Sequence, residues 1–211
     1  VFDSTLAAGS HQLGLQADAL TLGGTVSGSG TVSLAPSLAT TTIGLAGGAG
    51  TYQLSQTTLS RLTGFSTLAI GRSDGSGDIR VGHLVLSMDT ALQSGSGTIH
   101  LDGSVNSAAG THHDLTVHSA ALTRVGGAVG NSTALGTLTI GGNVQLGHAL
   151  VSTTTAQHYG GSVTLAGDTT LQAGAIDVAG ALALGANDLT LHTDALALGA
   201  ARSGRGPPRL G

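Results

Sequence analysis

Four clusters of side chains have residue types and spacings that could do chemistry. Gly71-Arg72-Ser73-Asp74-Gly75 fits the Gly-x-Ser-x-Gly pattern that exposes a nucleophilic serine on a sharp strand-to-helix turn. Its context speaks against catalysis: a nucleophile elbow needs a helix directly after the serine, and Asp74-Gly75-Ser76-Gly77 is turn-forming. In a chain this rich in Gly and Ser the pattern also arises by chance. His112, His113, Asp114 and His118 offer ligands suited to zinc. Adjacent residues on a strand point to opposite faces, so His112 and His113 could share an ion only in an irregular loop. Asp74, Gly75, Gly77 and Asp78 are faintly similar to the calcium-binding glycine-rich nonapeptide. That motif works in tandem and here occurs once. Asn131-Ser132-Thr133 fits the N-glycosylation triplet and reads as an ordinary turn. No catalytic, cofactor-binding or metal-binding residue is assigned, and no cofactor is expected.

Composition narrows the function classes further. All seven basic residues are Arg and all eleven acidic residues are Asp. Without Lys there is no P-loop and no Schiff base; without Glu there is no zincin, and a glycosidase could use only Asp. Parallel β-helices also host polysaccharide-acting enzymes, which need clustered Asp, a nearby cation and aromatic platforms for sugar rings. No Asp-Asp pair occurs, and the aromatics are only Phe2, Tyr52, Phe65 and Tyr159, so the chain is expected not to be an enzyme. Ice or crystal-surface binding through Thr ladders would need Thr at the same place in every coil. Thr40-Thr41-Thr42, Thr153-Thr154-Thr155 and Thr169-Thr170 are irregular.

Three of the Arg (Arg202, Arg205, Arg209) lie in the last ten residues, which leaves a body of four Arg against eleven Asp, a balance of −7. Such a body lacks the electrostatic footprint for nucleic acid or an anionic membrane surface. No segment approaches the roughly 20 apolar residues of a membrane helix, so no membrane insertion is expected. The absence of Cys excludes a disulfide scaffold and is compatible with export through an oxidising compartment. The only Met is Met88 and no signal segment begins the chain, so it reads as a piece of something longer.

The elements that must position these residues are short strands. Apolar residues two apart recur from Val32/Leu34 through Leu68/Ile70, Ile99/Leu101, Leu138/Ile140 and Val163/Leu165 to Leu189/Leu191 and Leu196/Leu198, which is strand period. Towards the C-terminus each pair begins six or seven residues after the last, and three such sides make one coil of about 20 residues. Stacked coils need only a thin interior of Leu, Ile, Val and Ala, which suits a chain with two Phe, two Tyr and no Trp. The expected fold is all-β: a right-handed parallel β-helix of about ten coils over 1–201, an uncapped segment on the order of 50 Å long. A β-sandwich is the alternative. Ser55–Phe65 breaks the alternation, with Leu59, Leu62 and Phe65 three apart, Ser55 as a candidate N-cap and Gly64 as a candidate stop, and reads as a short helical turn or a tight loop. Residues 202–211 predict a mobile tail that cannot continue a sheet ladder.

Two stretches carry a family resemblance. One is Thr42-Ile-Gly-Leu-Ala-Gly-Gly-Ala-Gly-Thr-Tyr-Gln-Leu-Ser55, with Leu59-Ser-Arg-Leu-Thr-Gly-Phe65 and Leu68-Ala-Ile-Gly-Arg-Ser-Asp-Gly-Ser-Gly77. The other runs from Gly130-Asn-Ser-Thr-Ala-Leu-Gly-Thr-Leu-Thr-Ile140 through Val151-Ser-Thr-Thr-Thr-Ala-Gln-His-Tyr159 to Val163-Thr-Leu-Ala-Gly-Asp-Thr-Thr-Leu171. Together they resemble the repeats of bacterial exoproteins of the filamentous haemagglutinin and autotransporter-adhesin type. The resemblance implies a right-handed parallel β-helix, secreted to the bacterial cell surface with an outer-membrane translocator. It implies a role as stalk or adhesive surface, with host-cell or surface glycans or proteins as partners.

Overall fold

The computed structural model describes residues 4–147 and 150–199, together with the backbone of 209–210. The chain winds into a three-sided parallel β-solenoid. One coil shows the plan: Asp89–Ser94 forms the first side, Ile99–Leu101 the second and Val105–Ser107 the third, and Leu115–Ser119 then returns to the first side. Every pairing between these strands and their neighbours is parallel, Leu92 beside Val117 and Ile99 beside Thr123. The period is set by the turns. Leu138 pairs with Gln157 and Gln157 with Ile176, a repeat of 19 residues, whereas Leu92 to Val117 spans 25.

The dyads point inward. Both members of every pair from Val32/Leu34 to Leu189/Leu191 are buried, and they merge into one continuous apolar core. Burial of stacked side chains and the ladder bonds between coils act on neighbours, so stability accumulates coil by coil. The outermost rungs show what a missing neighbour does: Leu6, Leu13 and Leu15 at one end and Leu196 and Leu198 at the other are only partly covered. No helix among the described residues is long and apolar enough to cross a membrane.

One coil is enlarged. Ile43–Leu45 pairs in parallel with Tyr52–Leu54 through a connection of six residues, 46–51, far shorter than the usual crossover between parallel strands. Ala46 and Gly47 take positive φ (48° and 92°) to make the return, and a side chain on Gly48 or Gly50 would run into backbone. Of the two readings for Ser55–Phe65, the structure has the helical turn, a single one at Gln56–Leu59, with the Ser55 hydroxyl accepting from the Thr58 N–H at 3.1 Å. It stops at Ser60 rather than Gly64, because Leu62–Thr63 is already a strand; Gly64 supplies a positive φ of 77° in the bend that follows. Leu59, Leu62 and Phe65 are all buried.

The helical turn interrupts the third side. Gln56 bridges the break: its amide donates to the Val85 carbonyl at 3.0 Å and accepts from the Val85 N–H at 3.1 Å, as a strand would. At the far end, Arg209–Leu210 pairs in parallel with Thr190 and Leu191, so these two tail residues do extend the ladder. They follow Pro207-Pro208 and carry the N–H donors the prolines lack. The rest of the expected tail lies outside the described residues.

Candidate functional site

Arg72, Asp78, His112 and Asp114 from the candidate motifs are occupied in holding the coils together. Ser73 is exposed on the turn after Thr67–Arg72, and no helix follows it. Arg72 grips Asp74 through Nε and Nη2, both at 2.8 Å, and its Nη1 donates to the carbonyls of Pro36 and Ser37 at 3.3 and 3.2 Å. These hydrogen bonds hold the Asp74 carboxyl below its usual range and raise the guanidinium. The Gly-x-Ser-x-Gly match is thus a corner clamp linking two coils.

His112 and His113 lie in a loop and diverge. His112 Nδ1 sits 2.9 Å from the Ala134 carbonyl, while His113 Nδ1 is 3.5 Å from Asp89 Oδ1. His118 is exposed on the outer face of Leu115–Ser119. Among the described residues no three His, Asp, Glu or Cys side chains converge as a metal site. Asp78 belongs to a different set of bonds: its Oδ1 accepts from the Thr98 N–H one coil on at 2.9 Å. Asp89 accepts from the Asp114 N–H, Asp114 from Thr137 and Asp168 from Asp188, at 3.0, 2.7 and 2.9 Å. Asn106 Oδ1 takes the N–H groups of Ser132 and Thr133, which pins the loop carrying the exposed Asn131, and Asn143 accepts from Ser162.

Polar groups also enter the core. Gln157 occupies an inward position between Leu138 and Ile176 and is fully buried. Its amide donates to the carbonyls of Val151 and Gln172 at 2.9 and 3.0 Å and accepts from the Tyr159 hydroxyl at 2.9 Å. Burial raises the Tyr159 phenol well above its ordinary range and pushes Tyr52 up to about 12. The Tyr52 hydroxyl is buried without a partner.

Two outward features remain. On the second side Arg80, His100 and Arg124 stand on consecutive rungs. Asp78 and Asp102 neutralise this row, with Arg80 at 3.8 and 3.3 Å from them and His100 Nε2 at 3.5 Å from Asp78, while Arg124 donates to the Gln145 amide oxygen. The other feature is a groove of about 560 Å³ where the third side turns into the first. Ser152, Gln172 and His192 line it on three consecutive rungs, with Thr154 and Asp194 beside them and Ala173-Gly174 keeping its floor low. Sequence reasoning missed this group. Its signal is the 20-residue recurrence of a polar residue at 152, 172 and 192, which becomes visible only when the coil length is known.

Neither a protein-family model, nor a curated protein, nor a solved structure matches this chain.

Proposed function

We propose that this chain is a structural and adhesive segment of a secreted bacterial surface exoprotein, of the type its repeats resemble, exported with an outer-membrane translocator. The observation that carries the reading is how the polar side chains are used. Among the described residues, Asp78, Asp89, Asp102, Asp114 and Asp168 and the guanidinia of Arg61, Arg72, Arg80 and Arg124 are engaged in bonds between coils, and the outer faces offer hydroxyl, amide and imidazole groups on successive rungs. Such a rod suits many weak polar contacts with host-cell or surface glycans and proteins, made strong by the effective concentration of a surface display. The same rod holds whatever lies beyond it away from the cell.

The test is multivalent display. Beads densely coated with the chain are expected to adhere to cells, whereas the soluble chain competes only at high concentration. Absence of bead adhesion across cell types would reduce the role to that of a spacer. Protease shaving of intact source cells, followed by detection of the segment, tests the surface location separately.

A further inference from the structure

The groove between the third and first sides is more specific than the rest of the surface. Its lining side chains come from the strands Leu150–Tyr159, Thr169–Gln172 and Leu189–His192 and the bends after them, so it runs along the rod axis across successive rungs. Among the described residues, the Ser152 hydroxyl, the Gln172 amide, the His192 imidazole and the Asp194 carboxylate make no hydrogen bond to protein. This contrasts with the Asp and Asn residues that staple the corners. Four unspent hydrogen-bonding side chains in one concavity are what a small-molecule site needs for orientation and specificity.

We infer that this groove binds a linear, neutral, hydroxyl-rich chain, an oligosaccharide laid along the rod axis with about one sugar per rung. Consecutive rungs lie about 4.8 Å apart, close to the advance per residue of an extended hexopyranose chain, so the column Ser152, Gln172, His192 presents one donor or acceptor to each sugar. The volume falls within the range of ligand pockets and leaves room for more than one ring. Asp194 is the one charged side chain in the lining, which favours sugar hydroxyl donors and disfavours a polyanion. A peptide strand is disfavoured too, because the strands that form the groove are paired on both edges and offer no free ladder. The inference rests on the adhesive reading and names the ligand class for one part of the surface.

The experiment is amide chemical-shift mapping of the whole chain with three probes: cellotetraose, maltotetraose and a heparin tetrasaccharide. At least one neutral tetrasaccharide is expected to give saturable shifts confined to 152–154, 172–174 and 192–194 in the millimolar range. Gln172→Ala and Asp194→Ala each remove an outward side chain and are expected to weaken that binding about tenfold, the equivalent of one lost hydrogen bond to a polar ligand. Thr164→Ala on the second side is the control and leaves it unchanged. Saturable shifts from the heparin fragment alone, shifts elsewhere on the rod, or no shift from either neutral probe at tens of millimolar would overturn the inference. The bead assay on the same variants separates the two claims. Adhesion without groove shifts removes the groove alone, and groove shifts without adhesion uphold the groove while removing the adhesive role.

Discussion

Gly161 tests the coil-stacking geometry directly. Gly142, Gly161 and Gly180 occupy one corner at intervals of 19 residues, and their backbones pack against one another. A Cβ on Gly161 would lie 2.6 Å from both the carbon and the oxygen of the Gly142 carbonyl and 2.7 Å from the Asn143 nitrogen. All of these are backbone atoms, so no side chain can swing aside. Restoring an ordinary contact would separate the two coils locally by roughly 0.8 Å. The Gly160 N–H to Ile140 carbonyl, Val144 N–H to Ser162 carbonyl and Ser162 N–H to Asn143 Oδ1 bonds, at 2.8, 2.9 and 2.9 Å, would then stretch beyond hydrogen-bonding range. Three bonds at about 1 kcal/mol each put Gly161→Ala at about 3 kcal/mol of destabilisation. At roughly 2–4 °C per kcal/mol for a chain of this size, the melting temperature falls by about 6–12 °C. Gly126 is the paired control, because the nearest atom to its Cβ would be the Leu101 carbonyl oxygen at 3.8 Å and its φ is not positive. Gly126→Ala should gain about 0.4–1 kcal/mol by restricting the unfolded chain. Thermal denaturation followed by circular dichroism, with amide exchange at Gly142–Asn143 as a local readout, measures both. Two variants melting together, or Gly161→Ala melting above the parent, would refute the close stacking of corners.

Other outcomes follow from the core and the staples. Tyr52→Phe removes a buried hydroxyl without a partner and is expected to hold or raise the melting temperature, whereas Tyr159→Phe strands the Gln157 oxygen and costs about 1–2 kcal/mol. Both phenols are kept neutral by burial while the unfolded chain ionises them near pH 10, so this contribution is complete below pH 10 and fades as pH climbs towards and past 12; an alkaline titration of the double Phe variant should show a flatter decline. Asp114→Ala should cost about 1–2 kcal/mol by denying the Thr137 N–H its acceptor, with Asp114→Asn retaining most of the stability and Asp114→Glu little of it. Ile140→Asp or Leu165→Asp places a carboxylate in the apolar column and should lower stability by more than about 4 kcal/mol; an unmoved unfolding curve for both would show that these positions do not face inward.

The inward face was readable because its rule is local. A residue two along from a buried Leu, Ile or Val points the same way, so Ile99/Leu101 and Val144/Leu146 announce themselves without knowledge of what stacks above. Features set by the neighbouring coil were not readable. Gln157 looks like one more polar residue in Thr154-Thr155-Ala156-Gln157, and only the register beside Leu138 and Ile176 makes it a core residue. The nine-residue step from Ile43 to Tyr52 defeats expectation for a different reason. Parallel neighbours ordinarily need a long crossover, and only a run as glycine-rich as Gly47-Gly48-Ala49-Gly50 allows so tight a return. The tail misled in the opposite direction: Pro207-Pro208 argued against any ladder, yet pairing resumes immediately beyond them.

The absence of Glu acquires a physical reason at the corners. The N–H left over at the start of a strand sits one rung from the equivalent residue of the preceding coil, and Asp or Asn spans that gap with its first oxygen. This is the arrangement at Asp78, Asp89, Asp114, Asp168 and Asn143. Glu carries one more methylene and a further rotatable bond, so it would hold the same oxygen less firmly and at the wrong distance. Selection for staples therefore accounts for acids that are short. It also removes four of the eleven Asp from the pool available to a ligand. The Asp194 carboxylate makes no such bond, and it lies in one groove with Gln172 and His192, which are likewise unengaged. Three unengaged polar side chains converging in one concavity, rather than any one of them alone, are the strongest reason to look for a ligand there.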